Sequence, residues 1–137
     1  MENDNAAEKL VKKALSARDS AYAPYSGFQV GAALLGAGGH IYTGCNVENA
    51  SSGATICAER TAVVKAVSEG EREFVALAVV ADAPGFASPC GICRQVLVEF
   101  RPDLPVIMAN LRGEYRVERA DTLLPLAFTK EAMDSRG

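Results

Sequence analysis

The stretch from residue 74 to residue 109, FVALAVVADAPGFASPCGICRQVLVEFRPDLPVIMA, decides the fold class. It begins with an apolar strand, Phe74 to Val80, and ends with a second buried strand, Pro105 to Ala109. Between them a loop with two prolines and a glycine, Asp82 to Pro89, precedes a segment of helix propensity, Cys90 to Phe100. A strand, a helix and a strand in this order predict an α/β fold.

The residues before this stretch continue the alternation. Apolar residues recur at helical spacing from Ala6 to about Ala21 and predict an amphipathic first helix. Two strands follow, Phe28 to Leu35 and His40 to Cys45, and the glycine-rich link between them is short enough to require an antiparallel hairpin. After a polar, irregular stretch, a second helix is predicted from Thr55 to about Ser68.

The residues after the stretch add one more strand. Glu114 to Glu118 alternates enough to be a strand, and its connection to the Pro105 strand is too short for a parallel crossover. A short helix near Ala120 to Leu124 and a tail from Pro125 complete the chain. We therefore expect a three-layer α/β/α sandwich with a five-stranded mixed sheet, in a single domain spanning residues 1–137.

Composition narrows the class of partner. The net charge of -3 gives no basic surface of the kind that a nucleic acid polymer requires, so a small-molecule substrate is expected. The N-terminus lacks the pattern of a secretory signal, and no apolar run approaches the roughly 20 residues needed to cross a bilayer. We expect a cytoplasmic protein without a membrane partner, whose cysteines are reduced thiols or metal ligands.

Three cysteines and a glutamate form the most informative pattern. Cys57-Ala58-Glu59 and Pro89-Cys90-Gly91-Ile92-Cys93 each lie where a loop or strand gives way to a helix. Helix N-termini favour negative charge, so three thiolates can converge there, and zinc with three protein ligands keeps its fourth position for water. Glu59 lies on the first turn of the same helix as Cys57, where it can move protons without ligating the metal.

Charge balance adds two arginines to this pattern. Three thiolates and Zn²⁺ sum to about -1, which weakens the acidity of a bound water molecule unless a cation compensates. Arg60 and Arg94 each adjoin one of the site residues, and we expect hydrogen bonds from their guanidinium groups to the ligand sulfurs.

The same residue types also have simpler interpretations. Cys90 and Cys93 alone equally fit a structural zinc half-site or a redox pair. Cys45 is expected to be a small buried apolar residue, and His40 a surface residue of the hairpin turn. A non-catalytic protein, in which zinc only joins two helices, leaves no use for Glu59.

Several motifs, in order along almost the whole chain, resemble the short homotetrameric class of cytidine deaminases. They are residues 57–62 (CAERTA), 89–95 (PCGICRQ), 25–33 (YSGFQVGAA), 44–50 (GCNVENA) and 123–125 (LLP). The resemblance implies that Cys57, Cys90 and Cys93 bind one Zn²⁺ per chain and that Glu59 shuttles protons. It also implies hydrolytic deamination of cytidine and deoxycytidine in pyrimidine salvage, with a modified nucleoside or nucleoside antibiotic as the alternative substrate.

The resemblance also assigns the substrate contacts. It implies that Asn46 and Glu48 hydrogen-bond the sugar hydroxyls, that Phe28 packs against the pyrimidine, and that the backbone at Ala58 helps to orient the base. Phe128 resembles an aromatic residue offered to the active site of a neighbouring subunit, so a homotetramer with shared active sites is expected. Read from the residues alone, Asn46 and Glu48 are ordinary loop residues and the two phenylalanines are core residues.

One segment departs from the family pattern. Many relatives carry an aromatic residue and a proline before the first zinc cysteine, whereas this chain has Ser51-Ser52-Gly53-Ala54. We expect a smaller and more flexible loop there, with consequences for subunit contacts and for the shape of the substrate pocket.

Overall fold

A five-stranded mixed sheet runs through the computed structural model, which describes residues 4–134. The strands are β1 (Val30–Gly36), β2 (Ile41–Cys45), β3 (Phe74–Ala81), β4 (Pro105–Ala109) and β5 (Tyr115–Arg119). The strand order is β2-β1-β3-β4-β5. β3 and β4 are parallel, and the other neighbouring strands are antiparallel.

Helices cover both faces of this sheet. The helices are α1 (Asp4–Ala17), α2 (Ala58–Ser68), α3 (Gly91–Phe100), α4 (Ala120–Leu123) and α5 (Lys130–Asp134). The helix α1 packs on one face, where Leu10 and Ala14 meet Ala33 and Ala78, while α2 and α3 pack on the opposite face. The predicted α/β/α sandwich with a five-stranded mixed sheet is confirmed. Among residues 4–134, no helix combines the length and apolar character needed to cross a membrane.

Glycine allows α2 to approach the sheet closely. A Cβ atom built on Gly44 in β2 would lie 2.5 Å from the carbonyl oxygen of Ala58 and 2.6 Å from the amide nitrogen of Ala62. Any larger residue at this position would therefore push α2 away from the sheet. Since α2 begins with Ala58 and Glu59, Gly44 helps to set the depth at which the site residues lie.

Several details differ from the sequence-based prediction. The first helix spans Asp4–Ala17 rather than Ala6 to about Ala21. The second helix begins at Ala58 rather than Thr55, because Ile56 forms an antiparallel bridge with Val47 and stays extended. The first strand begins at Val30 rather than Phe28, and the side chain of Asn46 bonds to the backbone there instead. The tail expected after Pro125 contains the short helix α5.

Candidate active site

Three cysteine sulfurs lie together where two helices begin. Cys57 immediately precedes α2, Cys90 immediately precedes α3, and Cys93 lies in the first turn of α3. Their Sγ atoms lie within 4.8 Å of one another, and those of Cys57 and Cys90 are 3.8 Å apart. Tetrahedral zinc with Zn–S bonds of about 2.3 Å separates its sulfur ligands by about 3.8 Å, so the cluster fits zinc.

The cluster favours the thiolate form of Cys57. The pKa of Cys57 is held well below its usual range, chiefly because the Cys93 thiol donates to its sulfur, with Arg60 adding to the effect. The same hydrogen bond, together with burial, raises the pKa of Cys93. Arg60 Nη2 lies 3.5 Å from Cys57 Sγ and 3.4 Å from the carbonyl oxygen of Thr55. Arg60 therefore makes the contact with a ligand sulfur that charge balance predicted.

Arg94 takes a different place from the one expected. Its guanidinium donates to the carbonyl oxygen of Pro89 at 2.7 Å, to Ser88 Oγ at 2.7 Å and to the carbonyl oxygen of Leu123 at 2.8 Å. Side chains on a helix tilt towards its N-terminus, so Arg94 reaches back to the segment before Cys90 rather than across to the sulfurs. The expectation of a sulfur contact was wrong for Arg94, which instead ties this segment to α4.

Glu59 lies beside the cysteine cluster in a cavity of about 400 Å³. Its side chain is on the first turn of α2 and only 4% of the residue is exposed. Burial raises the pKa of Glu59 to about 7, because a carboxylate loses hydration there. A carboxyl group that exchanges its proton near neutral pH is suited to accept and return protons during a reaction.

Three of the predicted substrate residues line this cavity: Phe28, Asn46 and Ala58. Phe28 is 46% exposed, so it is not the core residue that its type alone would predict. Asn46 is buried, and its Oδ1 accepts from the amide of Val30 while its Nδ2 donates to the carbonyl oxygen of Phe28, both at 2.8 Å. An amide side chain has two donors and two acceptor sites, so Asn46 keeps capacity for a ligand.

Glu48 lies outside this cavity and lines an adjoining groove that also reaches Cys57 and Cys90. Its Oε1 accepts from the amides of Tyr25 and Ser26, and its Oε2 accepts from the Ser26 hydroxyl. The Ser26 hydroxyl bond is the main reason that the pKa of Glu48 lies below its ordinary value.

Phe128 also lies outside the cavity of its own chain. It is 61% exposed, and its carbonyl oxygen accepts a hydrogen bond of 2.7 Å from Gln95 Nε2 on α3. The segment Ser52–Ala54, part of the loop that departs from the family pattern, forms an exposed 3₁₀ turn along the groove beside Glu48.

Sequence reasoning missed a second aromatic residue of the cavity. Phe86 lines the cavity from the loop before the second cysteine pair, together with Ala83 and Ala87. The available signal was an aromatic residue in an irregular, proline-containing loop that leads into P-C-x-x-C. Cys45 lies at the end of β2, outside the cysteine cluster, and is half-buried rather than fully buried. His40 is exposed in the hairpin turn, as expected.

Three cysteines at two helix N-termini, with a buried glutamate beside them on an α/β/α scaffold, define a zinc-dependent deaminase. Comparisons with known proteins agree with this class. Residues 4–109 match the family described as "Cytidine and deoxycytidylate deaminase zinc-binding region". The chain belongs to the cytidine deaminase family and is a zinc-binding enzyme.

Individual relatives share most of the chain. A cytidine deaminase of Sporosarcina psychrophila is 55% identical over 125 residues, which cover 90% of this chain and 92% of the relative. A cytidine deaminase of Halalkalibacterium halodurans is 53% identical over 128 residues, covering 93% and 97%. The crystal structure of cytidine deaminase from Burkholderia pseudomallei has a TM-score of 0.86 and 51% identity, covering 88% of this chain and 97% of that one.

Proposed function

We propose that this enzyme converts cytidine and deoxycytidine to uridine and deoxyuridine by hydrolysis, with release of ammonia, as a step of pyrimidine salvage. The observation that carries the proposal is the buried carboxyl of Glu59, which shares a cavity with Cys57 and Cys90. A nucleoside fits a cavity of about 400 Å³, which is within the usual range for small-molecule sites.

The residues of the chain divide the chemical work. Cys57, Cys90 and Cys93 would hold the zinc ion, which would supply Lewis acidity to lower the pKa of a water molecule. Glu59 takes a proton from the attacking water and passes it to N3 of the base, which makes C4 more electrophilic. After attack at C4, Glu59 takes the proton of the new C4 hydroxyl group and delivers it to the exocyclic amine. The C4–N bond then breaks, ammonia leaves, and a carbonyl remains at C4.

The surrounding residues bind and orient the nucleoside. Phe28 and Phe86 offer aromatic surface to the base from the cavity wall. Asn46 and Glu48 supply an amide and a carboxylate for the sugar hydroxyls, and the backbone at Ala58 helps to orient the base. The net charge of -3 disfavours a nucleic acid polymer, so the substrate is a free nucleoside.

We also propose that the chain works as a single catalytic domain within a homotetramer whose active sites are shared between subunits. Leu126 is fully exposed and adopts a left-handed conformation with a φ of 56°, and Phe128, two residues further on, is also exposed. Large apolar side chains held outward in this way support a subunit contact. Zinc ligation by reduced cysteines supports a cytoplasmic location.

The proposed function predicts that Glu59→Gln abolishes turnover while the protein keeps its zinc. Loss of the proton shuttle should lower kcat by about 10²- to 10⁴-fold, because glutamine is of similar size but does not exchange protons. Ultraviolet absorbance of cytidine and deoxycytidine reports turnover, and metal analysis reports zinc per chain. Glu8→Gln, an exposed residue of α1 on the other face of the sheet, is the matched control.

Wild-type turnover in Glu59→Gln would overturn the mechanism. Zinc-loaded wild type that leaves both nucleosides unchanged but converts a modified cytosine nucleoside would move the assignment to the alternative substrate.

A further inference from the structure

The turn over residues 25–28 holds Phe28 at the cavity by hydrogen bonds more than by packing. Tyr25 and Ser26 are exposed, and almost half of Phe28 is exposed as well. Gly27 has a φ of +69°, and its amide donates to the carbonyl oxygen of Ala23 at 2.9 Å. Because so little of this turn is buried, polar contacts must define where the Phe28 ring lies.

Both backbone polar groups of Phe28 are held by side chains. Its carbonyl oxygen accepts from Asn46 Nδ2 at 2.8 Å, and its amide donates to Ser26 Oγ at 3.0 Å. The Ser26 hydroxyl in turn donates to Glu48 Oε2. A relay of two hydrogen bonds therefore runs from the Phe28 amide through the Ser26 hydroxyl to the Glu48 carboxylate. Glu48 is the residue proposed to bind the sugar hydroxyls.

The chemistry of the three groups suits such a relay. A serine hydroxyl accepts and donates at the same time, which alanine cannot do. The Glu48 carboxylate has about four acceptor sites and receives hydrogen bonds from Tyr25 N, Ser26 N and Ser26 Oγ, so one site remains for a sugar hydroxyl. Glu48 itself is fixed, because its amide donates to the carbonyl oxygen of Tyr22 at 2.8 Å.

We propose that Ser26 is a positioning residue that sets the place of Phe28 in the active site by joining its backbone to the Glu48 carboxylate. The inference rests on the proposed function in that Phe28 contacts the base of the substrate. Ser26 couples the two ends of the nucleoside site: the carboxylate that meets the sugar also determines where the aromatic ring meets the base. The lowered pKa of Glu48, which Ser26 chiefly causes, agrees with a charged acceptor at the end of the relay.

Fluorescence tests the position of residue 28 without any turnover. The chain has no tryptophan, so Phe28→Trp introduces a single indole whose quenching by acrylamide reports its exposure. Ser26→Ala in this background should raise the quenching constant, and Ser26→Thr, which keeps a hydroxyl, should restore it. Ser16→Ala, an exposed serine on α1, is the matched control and should leave quenching unchanged.

Steady-state kinetics of variants that retain Phe28 test whether Ser26 affects substrate binding. Ser26→Ala should raise KM for cytidine by about five- to tenfold, the effect of one hydrogen bond to a charged network, with kcat changed less than about twofold. Ser26→Thr should recover most of the wild-type KM. Thermal melting of each variant confirms that it is folded.

An unchanged quenching constant in folded Ser26→Ala, or an unchanged KM, overturns the proposal. Equal falls in kcat and kcat/KM with no change of KM also overturn it, because a positioning role for a binding residue predicts weaker binding. Failure of the proposed function is a separate result, since it appears as absent turnover in the wild type whatever the fluorescence shows.

Discussion

At the scale of single residues, the site sets the properties of two glutamates by opposite means. Glu59 has lost its hydration, so its pKa rises to about 7 and its proton is exchangeable near neutral pH. Glu48 receives three hydrogen bonds from residues 25 and 26, so its pKa falls and it stays ionised. The first environment suits proton transfer, and the second suits a permanent acceptor.

The hydrogen bonds to Glu48 predict a dependence of stability on pH. Because its pKa is lower in the folded than in the unfolded chain, Glu48 stabilises the fold above its unfolded pKa. This contribution is lost as the pH falls through the lower folded value. We therefore expect Glu48→Gln to melt below wild type at pH 7, and the difference in Tm to shrink as the pH falls below about 4.

Both proteins should be measured with the same zinc content at each pH, because loss of zinc at low pH lowers both melting temperatures. A Tm difference that stays constant from pH 7 to pH 3 would contradict this account of Glu48. Glu8→Gln, on the exposed face of α1, supplies the baseline for removing a carboxylate without these contacts.

At the scale of elements, two helix N-termini assemble the metal site. Neither Cys57 nor Cys90 caps its helix through its side chain, so the sulfurs remain available to a metal while the helix ends favour their negative charge. The segment that carries Cys90 has little regular structure before α3. Arg94 holds it by bonding to Ser88, Pro89 and Leu123.

The hydrogen bonds of Arg94 therefore predict that its removal weakens the retention of zinc. In Arg94→Ala, the segment before Cys90 loses the hydrogen bonds that join it, through Arg94, to α4. Zinc release to a chelator should therefore accelerate by about tenfold, which is the lower end of the effect of removing a group that orients metal ligands. Arg94→Lys should recover only part of this, because an ammonium cannot reproduce the three fixed directions of the guanidinium. Release is followed with a colorimetric zinc indicator.

Arg72→Ala serves as the control, since Arg72 is exposed in the loop before β3. Equal zinc release from Arg94→Ala and Arg72→Ala would show that the three hydrogen bonds do not steady the cysteine segment.

Local sequence patterns predict part of the fold and of the site, and tertiary contacts determine the rest. Strand and helix order, and the meeting of Cys57, Cys90 and Cys93, follow from local periodicity and from ligand spacing. The start of α2 was missed because the bridge between Val47 and Ile56 is a tertiary contact, invisible to periodicity. The contact of Arg94 with Leu123 was missed because it depends on the position of α4, 29 residues away along the chain.

At the scale of the whole molecule, the C-terminal segment is fixed to the helix that carries the metal ligands. Arg94 bonds to the carbonyl oxygen of Leu123, and Gln95 bonds to that of Phe128. The Phe128 ring therefore projects outward from a defined position rather than from a free tail. Such a ring can enter a neighbouring active site only if subunits assemble in a matching orientation.

Shared active sites predict complementation between two defective variants. Phe128→Ala should lose about tenfold in activity by removing aromatic contact with a neighbour's site, and Glu59→Gln should be inactive. When an equal mixture of the two variants is refolded together, mixed assemblies form. In these, a Glu59→Gln subunit offers its intact Phe128 to the active site of a Phe128→Ala subunit, which has an intact Glu59. If both residues are drawn at random, about one quarter of sites carry the pair, so activity should rise towards a quarter of wild type.

The same proteins mixed without unfolding keep their parental assemblies and should show no rise. Activity of the refolded mixture equal to the mean of its parents would place Phe128 and Glu59 in the same subunit's site, or Phe128 in none.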